Sequence, residues 1–194
     1  MNKRIIVSSV IAGLIVFIWT NISFMLLPFH QMILFSFKDE GTLGAVLKAN
    51  VDHPGVYVLP SPNFGSKDGQ KRTKEEKKAA WLESQEKIRR GPFVFVSIHP
   101  NGKEPFMAKT MLYAFLMNVL AAYIFSWLLM KANLVNYWEQ VNFVALAALA
   151  GGVISHLPNL IWWGFPTNYT LLALIDLIIG WFLGGMVIAK VIKK

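Results

Sequence analysis

The sequence predicts a membrane all-α fold, a four-helix transmembrane bundle, with a small α+β extramembrane domain inserted between spans 1 and 2. Three observations predict it. Apolar residues make up 55% of the 194 positions, and the mean hydropathy is +0.46. They are gathered into long blocks: no charged residue falls within 5–29, 110–130 or 141–169, and Asp176 is the one charge within 170–189. A helix needs about 20 apolar residues to cross a hydrocarbon core, and each block is long enough. Most charges lie at the chain ends and in the stretch 38–109, with Lys131 and Glu139 flanking the connection between the second and third blocks. Spans are therefore expected at residues 5–29, 109–131, 141–163 and 169–190. The bundle then comprises 1–29 and 108–194, and the inserted domain 30–107.

The formal charge of +8 would suggest nucleic acid in a water-soluble protein. Its placement argues otherwise. Lys3 and Arg4 precede the first span, Lys190, Lys193 and Lys194 close the last, and most of the rest lies in the long loop. No nucleic-acid-binding motif accompanies them, so no nucleic-acid partner is expected. The absence of cysteine excludes disulfides, thiol redox chemistry and thiolate metal sites. The first apolar run exceeds the roughly 7–15 residues of a signal-peptide core and ends without a small-residue cleavage site, so it reads as an uncleaved span.

Cytoplasmic flanks of membrane proteins carry excess Lys and Arg near the span ends. Both termini are basic here, and Lys131 adjoins the short connection 132–140. Both termini and that connection are therefore expected in the cytoplasm, which requires an even number of spans. The long segment faces the other side, because long loops translocate largely regardless of charge. Cysteine labelling of intact cells checks this against a cysteine-free background. A probe that does not cross membranes should label Lys67→Cys strongly and Lys193→Cys not at all; the reverse pattern would overturn the topology.

Within the inserted segment, Leu43, Val46 and Leu47 follow Lys38-Asp39-Glu40 at the spacing of a short amphipathic helix. Residues 56–59, between Gly55 and Pro60, read as a strand, and 61–72 as a Pro/Gly/Ser-rich loop. Thr73 with Glu76 makes a capping box for a helix over 73–90, stopped by Gly91-Pro92, with Glu83 and Lys87 one turn apart on its surface. A second strand follows at 93–98, ending in the Pro100-Asn101-Gly102 turn signal beside His99. A unit of this size barely supplies its own core.

Polar residues inside spans usually face the bundle interior. Span one holds Asn21, span two Asn118, span three His156 with Asn159, and span four Asp176. Counted from the nearest outer loop, at ~1.5 Å per residue, Asn21, Asn118, His156 and Asp176 fall roughly 10–14 Å deep. Each lies on a seam of residues four apart: Ser9–Gly13–Phe17–Asn21, Ala114–Asn118–Ala122–Ser126, Ala148–Gly152–His156 and Asp176–Gly180–Gly184. The reading is one buried polar layer, with His156 and Asp176 forming a hydrogen-bonded pair between spans three and four. Pro158 leaves the carbonyl of Ile154 without its helical donor near this layer. Such a layer serves either as interhelical glue or as a binding or relay site. Trp162, Trp163, Phe165 and Tyr169 form an interfacial aromatic belt. His30, just beyond span one, together with His156 is a weak metal or haem candidate; no HxxxH or HExxH spacing supports it, and no metal or cofactor is expected.

The stretches Leu27-Pro28-Phe29-His30, Gly55-Val56-Tyr57-Val58-Leu59-Pro60, His156 through Thr170 (HLPNLIWWGFPTNYT) and Asp176 with Ile179-Gly180-Trp181 together resemble a family of uncharacterised bacterial inner-membrane proteins with four spans. The resemblance implies a bacterial inner-membrane location and no particular activity.

Function is less legible. There is no G-x-S-x-G, P-loop or G-x-G-x-x-G, which points away from an enzyme. The leading expectation is a non-enzymatic accessory, assembly or interaction protein. The alternative is a carrier or binder of a proton, ion, lipid or quinone through Asn21, Asn118, His156 and Asp176. A third reading, acid–base catalysis by His156 and Asp176, lacks a nucleophile or metal set. Expected partners are membrane lipids and another membrane or periplasmic protein, or a second copy of the chain.

Overall fold

The computed structural model describes residues 3–61 and 73–192. They form six helices and two strands in two compact units: Met1–Phe35 with Pro105–Lys194, and Ser36–Glu104. The expected loop at 61–72 lies, apart from Ser61, outside the described residues, as do Lys193 and Lys194.

The first unit contains four long apolar helices, α1 (Lys3–Met25), α4 (Met107–Lys131), α5 (Tyr137–Trp163) and α6 (Thr167–Ile192), each long and apolar enough to cross a membrane. The chain is thus consistent with a multi-pass membrane protein. α1 runs antiparallel to α4 and α6, and α5 antiparallel to α6. α1 is central: it packs on α4 along one side and on α6 along the other, while α5 packs on α6. α4 and α5, although consecutive, touch at only a few residues. The alternation brings the start of α1 and the ends of α4 and α6 to one end of the bundle, so Lys3, Arg4, Lys131 and Lys190 gather there.

Small residues decide these contacts, because helices in lipid associate by close packing rather than by expulsion of water. A Cβ on Gly13 would stand 2.7 Å from the Val119 Cα, so α1 and α4 meet backbone to backbone. Ser8 and Ser126, both fully buried, join their hydroxyls at 2.9 Å further along the same seam. On α6, Gly180 faces Trp19 and Val16, and Gly184 faces Val16. Gly185 turns to α5 instead, where a Cβ would stand 3.1 Å from the Val141 carbonyl oxygen. Ala12, Val16, Ala122, Leu129, Val144, Ala148, Trp181 and Ile188 fill the core between the seams. Leu14, Ile18, Leu116, Leu120, Ile154 and Leu171 point outward, as lipid-facing residues do.

The second unit is small and mixed. α2 (Glu40–Asn50) starts at Asp39, whose carboxylate accepts from the Thr42 N–H at 2.9 Å and from the Thr42 hydroxyl at 2.6 Å. These bonds, the hydroxyl's foremost, hold the Asp39 carboxyl below the ordinary carboxylate range. Their contribution to the helix is therefore present at neutral pH and lost as pH falls through that lowered value. β1 (Gly55–Leu59) pairs antiparallel with β2 (Val94–Ile98), Tyr57 opposite Val96. Between them α3 (Lys74–Arg90) opens on the capping box of Thr73 and Glu76 and stops at Gly91. The Lys87 ammonium meets the Glu83 carboxylate at 2.7 Å and holds its carboxyl below the usual range. Beyond β2, Gly102, at a φ of 79° that suits glycine, donates its N–H to the His99 carbonyl at 2.9 Å and closes the turn. Val51 is the one buried side chain of this unit among its described residues.

Candidate functional site

α1 ends at Met25, and residues 26–33 turn back over its end: Leu26 and Leu27 donate to the Ile22 carbonyl, and Met32 to that of Pro28. Pro28 cannot continue a helix, and the turn after it carries His30 inward. The imidazole stacks on the Phe24 ring with centroids 3.7 Å apart. His30 Nε2 then lies 2.6 Å from Asp176 Oδ2 on α6. Ser23 completes the cluster. Its hydroxyl donates to the same carboxylate, 2.7 Å from Oδ1 and 2.8 Å from Oδ2, and stands 3.2 Å from His30 Nε2. The Trp19 indole N–H donates to the backbone carbonyl of Asp176 at 3.2 Å, locking the two helices in register below the cluster. Ser23 is fully buried, the His30 side chain is 7% exposed and that of Asp176 17%.

The pairing expected between His156 and Asp176 does not form. The two lie on neighbouring antiparallel helices, but the 3.6-residue period turns Asp176, Gly180 and Gly184 toward α1, while Leu174, Leu177 and Gly185 face α5. Gly152, touching Leu174 and Leu177, is the α5 residue level with Asp176; His156 sits one turn further out. It forms no hydrogen bond or ion pair among the described residues.

The other polar residues are not gathered into a connected layer either. Asn21 donates to the Phe17 carbonyl at 2.7 Å, Asn118 to Ala114 at 3.0 Å and Asn159 to Ser155 at 3.3 Å, each on its own helix. Asn118, next to Val119, is level with the Gly13 turn of α1, more than two turns below Ser23. Counting depth from loops goes astray because the loops are not level. Gly13 opposes Val119 and Ser8 opposes Ser126, which places Ser23 opposite the first turn of α4. α6 begins at Thr167, so at ~1.5 Å per residue it runs about 14 Å beyond Asp176. The α5–α6 hairpin therefore projects past α1 and α4, and the cluster sits at the foot of that step.

At the tip of the hairpin, Gly164 adopts the left-handed conformation (φ 67°) and the Phe165 N–H reaches back to the Asn159 carbonyl at 3.1 Å. Trp162 is exposed, and the Phe165 and Tyr169 rings pack 5.6 Å apart; Trp163 precedes the turn. Among the described residues no three His, Cys, Asp or Glu side chains converge; His30 lies against Ser23 and Asp176.

Composition singles out His30 only as a weak metal or haem candidate with His156, and does not single out Ser23. A usable signal existed: Ala12, Val16, Trp19 and Ser23 repeat at helical spacing, and Ser23 ends that stripe.

Chemically, the cluster is an acceptor flanked by two donors. A Ser–His nucleophile needs the hydroxyl to donate to the imidazole, with the carboxylate on the far ring nitrogen. Here the Ser23 hydroxyl donates to the carboxylate, and the carboxylate and the hydroxyl meet the same ring nitrogen, so the triad order is not formed. No family model, curated protein or solved structure matches the chain.

Proposed function

We propose that this chain is a non-enzymatic, multi-pass protein of a bacterial inner membrane that serves another protein as an accessory or assembly partner through its inserted unit. The supporting observation is that Ser36–Glu104 buries so little of its own apolar surface. On α3, Trp81 is 60% exposed and Ile88, two turns along the same face, 41%, with Leu82 beside them at 52%. Val56 and Leu59 on β1 are likewise exposed. Aromatic and aliphatic side chains in this number, on a unit with one buried residue among those described, favour a surface completed by a partner. The basic end of the bundle, with Lys3, Arg4, Lys131 and Lys190, favours the cytoplasm. The inserted unit then belongs to the periplasmic side.

A photo-crosslinking residue at position 81, followed by mild-detergent purification from native membranes, tests this reading. A partner should be captured at about one to one. A Trp81→Glu/Leu82→Lys variant should weaken its retention by roughly 30-fold, the effect of losing a ~2 kcal/mol anchor. Failure to capture a partner, or retention that the variant leaves unchanged, would overturn the proposal.

A further inference from the structure

No Lys, Arg, Asp or Glu lies between Arg4 and Lys38, yet α1 stops at Met25. The charge-free run therefore continues past the helix, over 26–37. A turn in water keeps polar side chains outside and apolar ones within. The turn 26–33 does the reverse. His30 is buried against Ser23 and Asp176, while Leu26 is 75% exposed and Met32 71%, with Phe29 exposed between them. Gln31 is its one exposed polar side chain. The main chain is largely closed on itself: Leu26 and Leu27 donate to the Ile22 carbonyl, Met32 to that of Pro28 and Ile33 to that of His30, and Pro28 has no N–H. Non-helical backbone at lipid depth requires such internal bonding, because hydrocarbon offers no partner.

Depth follows from the step in the bundle. The projecting part of the α5–α6 hairpin shows Ile154, Ile161, Leu171 and Ile175 outward, and Trp162 near its tip. Apolar side chains on that stretch mark hydrocarbon, and tryptophan marks its boundary. The turn lies beside Asp176, about 14 Å inward of the start of α6, so it sits within that boundary. Phe106 and Met107, where α4 begins opposite Ser23, are exposed at the same level. The geometry points to a lipid-embedded ledge: residues 26–35, with Phe106 and Met107, present an apolar surface to the acyl chains of phospholipids in the leaflet at this end of the bundle. The ledge is continuous with the outward sides of α1 and α4, where Ile18 and Leu116 are exposed. The contacts of His30 with Asp176, Ser23 and the Phe24 ring act as its pin, drawing the imidazole away from lipid and holding Leu26, Phe29 and Met32 outward. Both connections to the inserted unit, at 35–36 and 104–105, adjoin the ledge in sequence, so the chain leaves the bundle through lipid and not through a water-exposed loop. The ledge is independent of what the inserted unit meets.

The test uses the full chain, which has no cysteine, in vesicles of phosphatidylcholine and phosphatidylglycerol. A nitroxide is attached singly through Leu26→Cys, Met32→Cys or Phe106→Cys, with Leu116→Cys as the lipid reference and Lys48→Cys on α2 as the water reference. Spin relaxation then compares collisions with oxygen, which concentrates in hydrocarbon, and with a nickel chelate, which stays in water. At the three ledge positions oxygen should collide several times more often than the chelate, as at Leu116, and the order should reverse at Lys48. Collisions dominated by the chelate would place the ledge in water and overturn the proposal. Exclusion of both reagents would reveal a protein cover, whether the inserted unit, a second copy or another chain, and would overturn it equally. The unlabelled wild-type chain gives a second measurement, in vesicles holding a phospholipid with a photoreactive diazirine on its acyl chain. Adducts mapped by mass spectrometry should fall within 26–35 as well as on α1 and α4; adducts on the helices alone would also overturn the proposal.

Discussion

Gly13→Ala is expected to force α1 and α4 apart and to destabilise the bundle by about 3 kcal/mol, at the upper end of what overpacking a close interface usually costs. The added methyl would sit 2.7 Å from Val119 Cα and 2.8 Å from Val119 N, both backbone atoms that cannot rotate away. The helices must separate, and separation also strains the buried Ser8–Ser126 hydroxyl pair, which closes the same seam. Gly151→Ala is the matched control: nothing lies within 4 Å of a Cβ there. Alanine at that mid-helix position should be neutral, or stabilise by about 0.5–1 kcal/mol through reduced backbone entropy. Unfolding of both variants in one detergent checks the contrast. Equal behaviour would show that α1 and α4 are not in the contact described.

The second large effect falls on Asp176. Asp176→Leu leaves the His30 imidazole and the Ser23 hydroxyl buried without their shared acceptor. Breaking a buried pair from one side typically costs about 3–5 kcal/mol. The exposed edge of the carboxylate places the expected loss near the lower figure, since the 17% exposed side chain is already partly solvated. The triple change Asp176→Leu/His30→Phe/Ser23→Ala should recover most of it, because an apolar cluster has no polar group left to satisfy and a phenyl ring can keep the stack on Phe24. The measurement is the unfolding midpoint of the single and triple variants in one micelle. A triple variant no more stable than Asp176→Leu would mean that the three side chains do not act as a unit.

Both expectations rest on helix register, and register marks the boundary between what could be read early and what could not. The four apolar blocks sit at 5–29, 110–130, 141–169 and 170–189, and local composition alone marks α1, α4, α5 and α6. The start of α3 was equally open to reading, because a capping box joins residues three apart and needs no distant partner. The strands around Tyr57 and Val96 followed from their apolar runs and flanking turn residues. Seams of small residues were visible as well: Asn118, Ala122 and Ser126 share one face by period alone, and they are buried on it. All of these are short-range properties of the chain.

What met across the helices was decided only by the tertiary structure. Asp176 announced itself as the lone charge in an apolar block, but its partner depended on which flank of α6 it occupies and on how far the α5–α6 hairpin slides past α1 and α4. A rotation of 100° separates the α1-facing stripe of Asp176 and Gly180 from the α5-facing stripe of Leu177. Register along the helix axes puts Asp176 level with Ser23 and the returning turn on one side and with Gly152 on the other, one turn short of His156. Neither quantity is a property of one segment. Each is set by where glycine lets two helices close, at Gly13 against the Val119 backbone and at Gly184 against the Val16 side chain. The sequence alone determined the four apolar helices and the lone carboxylate among them; where the first helix stops, at Met25, and the packing of those glycine seams determined that a histidine from beyond it would be the residue to meet that carboxylate.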